Sequence, residues 1–172
     1  MRITTEVFNN FVDTILLHRF WKPFCFCLME TDIKINELLA LKWKDINFNK
    51  NEINVQAYVY PSGTMIIPYK SSKDFQFSSL LETILIEYKK FRERLSRQKR
   101  YVDKDELIFG NDKGIVRSLS GVSHVFRKFL RRKGLDCYNI TLKSLRGVLR
   151  EQNKIFVEAQ QEYIKNKEYS LM

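Results

Sequence analysis

The sequence predicts an α+β fold, mainly helical, with one small antiparallel β-sheet early in the chain. Three observations predict it. Apolar residues recur at helical spacing along most of the chain. Between Ile53 and Pro68 they alternate instead, with a turn at Pro61-Ser62-Gly63. A length of 172 residues, with 44% hydrophobic and 29% charged residues, suits one folded domain with a core of its own.

Taken in order, Thr4-Thr5-Glu6 reads as a capped helix start. Val7, Phe8, Phe11, Val12, Ile15 and Leu16 follow at helical spacing. A second helix is expected from about Phe20 to Glu30, with Pro23 in its first turn. It is apolar nearly all round and so belongs in the centre of the core. Ile35 to Trp43 reads as a short helix burying Leu38 and Leu39, with Trp43 a further candidate. After a turn at Asn49-Lys50-Asn51, the alternation of Ile53, Val55, Ala57 and Val59 predicts a strand. Thr64 to Pro68 is the returning strand of a hairpin.

Ser78 or Ser79 is expected to cap a long helix through Leu80, Ile84, Leu85, Tyr88 and Phe91. Its basic end carries Lys89, Lys90, Arg92, Arg94, Arg97, Lys99 and Arg100, cations that suit a helix C-terminus or a DNA backbone. Leu107-Ile108-Phe109-Gly110 reads as a short extended segment. Ser120 is expected to cap a helix through Val122, Val125, Phe126 and Phe129, stopped by Gly134. Its polar face carries Arg127, Lys128, Arg131, Arg132 and Lys133. Thr141 caps another helix with Leu142, Leu145 and Leu149, and Lys154 to about Lys167 reads as a last helix with few apolar anchors.

The formal net charge is +10 and the isoelectric point near 9.5. That excess favours a polyanionic partner, nucleic acid first. Cys25 and Cys27 form a C-x-C pair inside an apolar run, with no second Cys/His pair nearby. They read as buried thiols rather than zinc ligands, and an odd cysteine count argues against a disulfide framework. No segment reaches the ~18 apolar residues of a membrane span, and no signal peptide is visible. The expectation is a cytoplasmic protein with no metal, no small-molecule cofactor and no membrane partner.

Three blocks carry a resemblance. The first is Thr31-Asp-Ile-Lys-Ile-Asn-Glu-Leu-Leu-Ala-Leu-Lys-Trp-Lys-Asp-Ile46. The second is Ile66-Ile-Pro-Tyr-Lys-Ser-Ser-Lys73. The third is Ile140-Thr-Leu-Lys-Ser-Leu-Arg146, preceded by Leu107-Ile-Phe-Gly110. In order and spacing they resemble the catalytic domain of the tyrosine recombinases, the phage integrase family. Members of that family typically read T-G-L-R-I-x-E-L-L-A-L-x-W-x-D-I, then a hairpin lysine, then I-T-x-H-x-L-R-H.

The resemblance implies a chemistry. A tyrosine hydroxyl attacks a DNA phosphodiester and forms a covalent phosphotyrosine. Two arginines and a His or Lys hold the phosphate oxygens as charge builds on them. A hairpin lysine protonates the leaving oxygen. By the same resemblance Arg146 is the second arginine, Lys143 stands beside it, and Lys70, or in a second register Lys73, is the general acid. Lys34 stands where the first arginine belongs. It keeps the charge but not the two-pronged fork, and losing one such donor typically costs ~10²–10³ in rate. Gly147 stands where a histidine is common. Tyr163 and Tyr169 follow Arg146 by 17 and 23 residues, short of the spacing the family shows. Tyr169 is the better candidate nucleophile, because it lies in a polar tail.

Residues 1–172 are therefore read as a single integrase-like catalytic domain, divergent from about 151 onward and without an N-terminal core-binding domain. The expected function is double-stranded DNA binding with impaired strand transfer, with Lys73, Arg127, Arg131 and Arg132 as further DNA contacts. Two alternatives stay open. One is an active strand-transferase using Tyr169. The other is an interaction remnant that pairs with itself or with a full-length recombinase.

Overall fold

Helix α2 (Trp21–Glu30) forms the centre of the molecule, because its sequence offers no polar stripe to turn toward water. Nine of its ten residues are buried, and Glu30 is the exception. The structure is a computed structural model that describes residues 4–98, 106–150 and 154–171. Lys99 and Arg100 of the expected basic helix end lie outside the described residues.

Helix α1 (Thr5–Leu16) starts where expected, with the Thr4 hydroxyl accepting from the Val7 N–H. Its apolar face, Phe8, Phe11, Val12, Ile15 and Leu16, is buried. His18 then caps α2: its Nδ1 accepts from the Phe20 and Trp21 N–H groups at 3.2 and 3.1 Å. Around α2 pack α1, α3 (Ile35–Ala40), α4 (Ser79–Arg97) and α6 (Leu142–Leu145). An aromatic cluster joins them. The Phe24 and Phe109 rings meet edge to face at 5.0 Å, and Trp21 meets Phe126 at 4.9 Å. Phe126 belongs to α5 (Leu119–Arg132).

The sheet is three-stranded and antiparallel, in the order β1 (Ile46–Asn47), β2 (Glu52–Val59), β3 (Ile66–Gln76). Strand β3 is longer than the expected Thr64–Pro68. Val59 pairs with Ile66 and Ala57 with Pro68, and then the register jumps so that Val55 pairs with Lys73 and Ile53 with Phe75. Residues 69–72 bulge out of the ladder. The polar run from Lys70 to Asp74 hid this second half, since an edge strand with one face in water needs no apolar alternation. Lys70 and Lys73 therefore lie within β3 rather than after it.

Four other boundaries differ from expectation. Helix α3 stops at Ala40, and Trp43–Asp45 forms a turn of 3₁₀ helix with Trp43 half-buried. Asp45 explains the break, since its carboxylate accepts from the Lys42 N–H at 2.9 Å. Ser118, not Ser120, caps α5, accepting from the Gly121 N–H at 3.1 Å. In the segment 107–110 only Leu107 makes a strand-like pair, with Lys42. Finally, α6 is a single turn. Arg146 leaves it with ψ near 122°, and Gly147 turns the chain at φ +65°. Leu149 is buried off the helix, and Lys143 and Arg146 do not share a helix face as the i, i+3 spacing suggested.

The segment after α6 is tied to α2 by backbone. The Gly147 N–H donates to the Leu28 carbonyl and the Leu149 N–H to the Met29 carbonyl, both at 2.8 Å. Helix α7 (Lys154–Leu171) runs past the expected Lys167. Ile164 is its buried apolar anchor among the described side chains, and the Tyr163 hydroxyl donates to the Asp13 carboxylate at 2.9 Å.

Candidate functional site

The loop between α2 and α3 is contacted by Arg146, and the helix it leads into is contacted by Lys73. Thr31 closes α2: its hydroxyl donates to the Cys27 carbonyl at 2.6 Å and accepts from the Ile33 N–H at 3.3 Å. Ile33 is fully buried and pins the loop, while Asp32 and Lys34 on either side are exposed. Lys34 is the N-cap residue of α3. Two clusters grow from this loop.

The first surrounds Glu37, whose side chain is only 1% exposed. One oxygen accepts from the Lys34 N–H at 2.8 Å. The other accepts from the Tyr69 hydroxyl and the Lys73 ammonium, each at 2.7 Å. The ammonium also sits 4.4 Å from the centre of the Tyr69 ring. Of the two hairpin lysines, Lys73 is thus joined to the start of α3. Lys70 is exposed and makes no hydrogen bond or ion pair among the described residues.

Burial pushes the Glu37 carboxyl up, but hydrogen bonds from Lys73, Tyr69 and the Lys34 N–H outweigh it and hold the group below its ordinary range. Its folded-state value lies below the unfolded one. The stability it contributes is therefore complete above the ordinary glutamate range and is lost as pH falls through the folded-state value. On Glu30 and Asp45 burial prevails over the hydrogen bonds they accept and their carboxyls are raised, so neither produces this acid limb. Glu37→Gln is expected to cost about 1–2 kcal/mol at neutral pH. It should also flatten the loss of stability below pH ~4, as read by urea unfolding across pH. An unchanged acid limb in the variant would remove Glu37 from this role.

The second cluster surrounds Arg146. Its Nη2 donates to the Asp32 carbonyl at 2.9 Å and to Asp32 Oδ1 at 3.1 Å. Arg150 Nη1 reaches Asp32 Oδ2 at 3.0 Å. These groups line a cleft of about 750 Å³, shared with Glu30, Ser78 and Gln161. A chain of contacts leads from Arg146 to Asp32, two residues along to the Lys34 backbone, then to Glu37 and Lys73, although neither Lys34 nor Lys73 lines the Arg146 cleft.

Other residues stand apart from these clusters. Lys143 is exposed on α6. Arg127, Arg131 and Arg132 are exposed on α5, and among the described residues only Arg131 of the three has an acidic neighbour, Asp136 at 3.9 Å. Tyr169 is 74% exposed on α7. Gln161 of α7 lines the Arg146 cleft, while Glu168 bonds Lys22 at the opposite end of α2. At the helical rise, Tyr169 sits ~12 Å further along α7 than Gln161.

Three residues of the site were not anticipated. Asp32 falls where the family pattern has glycine, and that departure was the available signal. Arg150 lies beyond the last motif and carried none. Tyr69 was masked by the strand ending too early.

A three-stranded antiparallel sheet thus packs against a helical body, and the arginines after α6 reach the loop before α3. The phage integrase family model matches residues 3–151, and the chain belongs to that family. Solved structures agree in fold. The Tn1549 transposon integrase in complex with transposon right end DNA has a TM-score of 0.72 at 16% identity, with 95% of this chain and 57% of that one covered. The XerA recombinase has a TM-score of 0.66 at 16% identity, covering 95% and 58%. The XerH site-specific recombinase bound to palindromic difH substrate has a TM-score of 0.55 at 15% identity, covering 99% and 51%. The chain thus spans little more than half the length of these structures. No curated protein matches it by sequence.

Proposed function

We propose that this chain is a DNA-binding integrase domain in which strand cleavage is weakened. The observation that carries the reading is the link of Arg146 to Asp32 in the loop before α3 and of Lys73 to Glu37 within α3, in a chain of net charge +10. Membership of the integrase family supports it, as do two similar structures that hold DNA. Arg146 is the phosphate-gripping arginine, and Lys73, already paired through Glu37 with the start of α3, is the better hairpin lysine than Lys70. Lys143, Arg127, Arg131 and Arg132 contribute backbone contacts. Cleavage is weakened because a lysine at position 34 lacks the bidentate fork, and because Tyr169 lies near the Lys22 end of α2. A second copy, or a full-length recombinase, is the protein partner the reading admits, and a cytoplasmic location goes with it. No described helix is long and apolar enough to cross a membrane.

The test is a salt titration of binding to a short duplex. Log affinity is expected to fall linearly with log salt, with a slope of about −0.9 for each phosphate neutralised. Arg146→Gln should reduce that slope by about 1. Binding that does not respond to salt, or no binding at low salt, would overturn the reading.

A further inference from the structure

We propose that Arg146 and Arg150 together form a two-guanidinium seat for a phosphate group, and that Asp32 is the resident anion that fills the seat in the free protein. The proposal rests on the DNA reading above only for the source of the phosphate. The seat itself is an oxyanion site. Each Asp32 carboxylate oxygen meets a different guanidinium: Oδ1 with Arg146 at 3.1 Å and Oδ2 with Arg150 at 3.0 Å. One small anion bridging two arginines is the arrangement a phosphate makes with the same groups, with more charge and more acceptor oxygens.

The backbone builds this seat. Gly147 turns the chain in the left-handed region, and the Arg150 N–H closes the turn on the Gly147 carbonyl at 3.0 Å. Residues four apart thereby converge without a helix between them. A Cβ at position 147 would stand 3.9 Å from Asp32 Oδ1 and 3.3 Å from Arg150 Cδ. The amides of Gly147 and Leu149 bond the end of α2, so the turn is fixed to the element that leads into Asp32.

Two observations make Asp32 replaceable. Its side chain is 52% exposed, as is that of Arg150, so the pair can open into solvent. Arg146 Nε is buried with no hydrogen-bond partner among the described residues, so the guanidinium holds a donor that Asp32 does not use. With Asp32 in place the two positive charges are partly cancelled within the cleft. A phosphate entering from solution must displace the carboxylate, so Asp32 sets the affinity of the seat.

Inorganic phosphate, titrated at constant ionic strength with chloride as the control, is the probe. Asp32→Asn keeps the size of the side chain and removes its charge. It is expected to tighten phosphate binding about 2- to 5-fold, the scale of one exposed ion pair. Adding Arg150→Gln should abolish that gain, and Arg150→Gln alone should weaken binding relative to the unaltered chain. Thermal melts of each variant report folding, and the single Arg150→Gln variant keeps the question decidable if Asp32→Asn fails to fold. No tightening in Asp32→Asn, or a gain that survives Arg150→Gln, overturns the seat. A short duplex run in parallel separates the two readings. Tighter phosphate without salt-dependent duplex binding supports the seat and sinks the DNA reading. Salt-dependent duplex binding with phosphate affinity indifferent to both substitutions sinks the seat alone.

Discussion

Phe24→Ala is expected to destabilise the protein by about 3–5 kcal/mol, the usual range for truncating a large aromatic side chain in a core. Phe24 is fully buried at the centre of α2. It stacks on Phe20 at 5.4 Å and meets Trp21 and Phe109 edge to face at 5.8 and 5.0 Å. Phe109 in turn stacks on Tyr88 of α4 at 5.7 Å. The cavity left by the truncation would therefore open between α2, α4 and the segment 107–110, where none of the three can collapse without dragging the others. Aromatic pairs of this kind add roughly 0.5–1.5 kcal/mol beyond the area they bury. Urea unfolding monitored by tryptophan fluorescence measures the loss. Phe24→Leu should recover most of it, and a loss below about 1 kcal/mol in Phe24→Ala would mean the rings are not close-packed.

The second large effect is expected at Lys22. Its ammonium lies 2.6 Å from Glu168 Oε1 and 3.0 Å from Glu87 Oε2, with only 11% of its side chain exposed. Glu168 is more buried still at 7%, and its Oε2 has no hydrogen-bond partner among the described residues. Lys22→Ala strands that carboxylate in the interior. Breaking one side of such a pair costs about 3–5 kcal/mol. Glu87 is largely exposed and contributes little to that figure. Helix α7 should feel the loss first, because its other polar ties, Tyr163 and Lys167 to Asp13, lie nearer the surface. Limited proteolysis should show cleavage within α7 before the rest unfolds. The double variant Lys22→Met/Glu168→Leu should regain most of the stability, since an apolar pair of similar volume avoids the buried charge. A double variant as unstable as Lys22→Ala would assign the loss to packing instead.

The helices were legible in the sequence wherever one face alone had to be buried. Phe8, Phe11 and Ile15 mark α1, and the run from Trp21 to Met29, apolar but for Lys22, marks the central place of α2. What escaped was set by backbone and charge rather than by apolar period. Asp45 ended α3 early through a single cap, and Ser118 supplied an oxygen two residues before the Ser120 expected to do so. Strand β3 resumed beyond its bulge because β2 offered partners to Lys73, Asp74 and Phe75. The site followed the same division. Arg146, Lys34 and Lys73 were visible as members of a pattern. Asp32 and Arg150 were not, because an ion pair across more than a hundred residues leaves no periodic trace.

The amides of Gly147 and Leu149 satisfy carbonyls at the end of α2 that a helix cannot satisfy for itself. Leu28 and Met29 leave the ribosome early, and their donors leave it late. During synthesis the central helix must wait with a frayed tip until residue 149 has emerged. Completing the helix and assembling the arginine cluster are then one closing step, of high sequence separation and correspondingly slow. The contacts of Asp32 with Arg146 and Arg150 form only after more than a hundred further residues have been made.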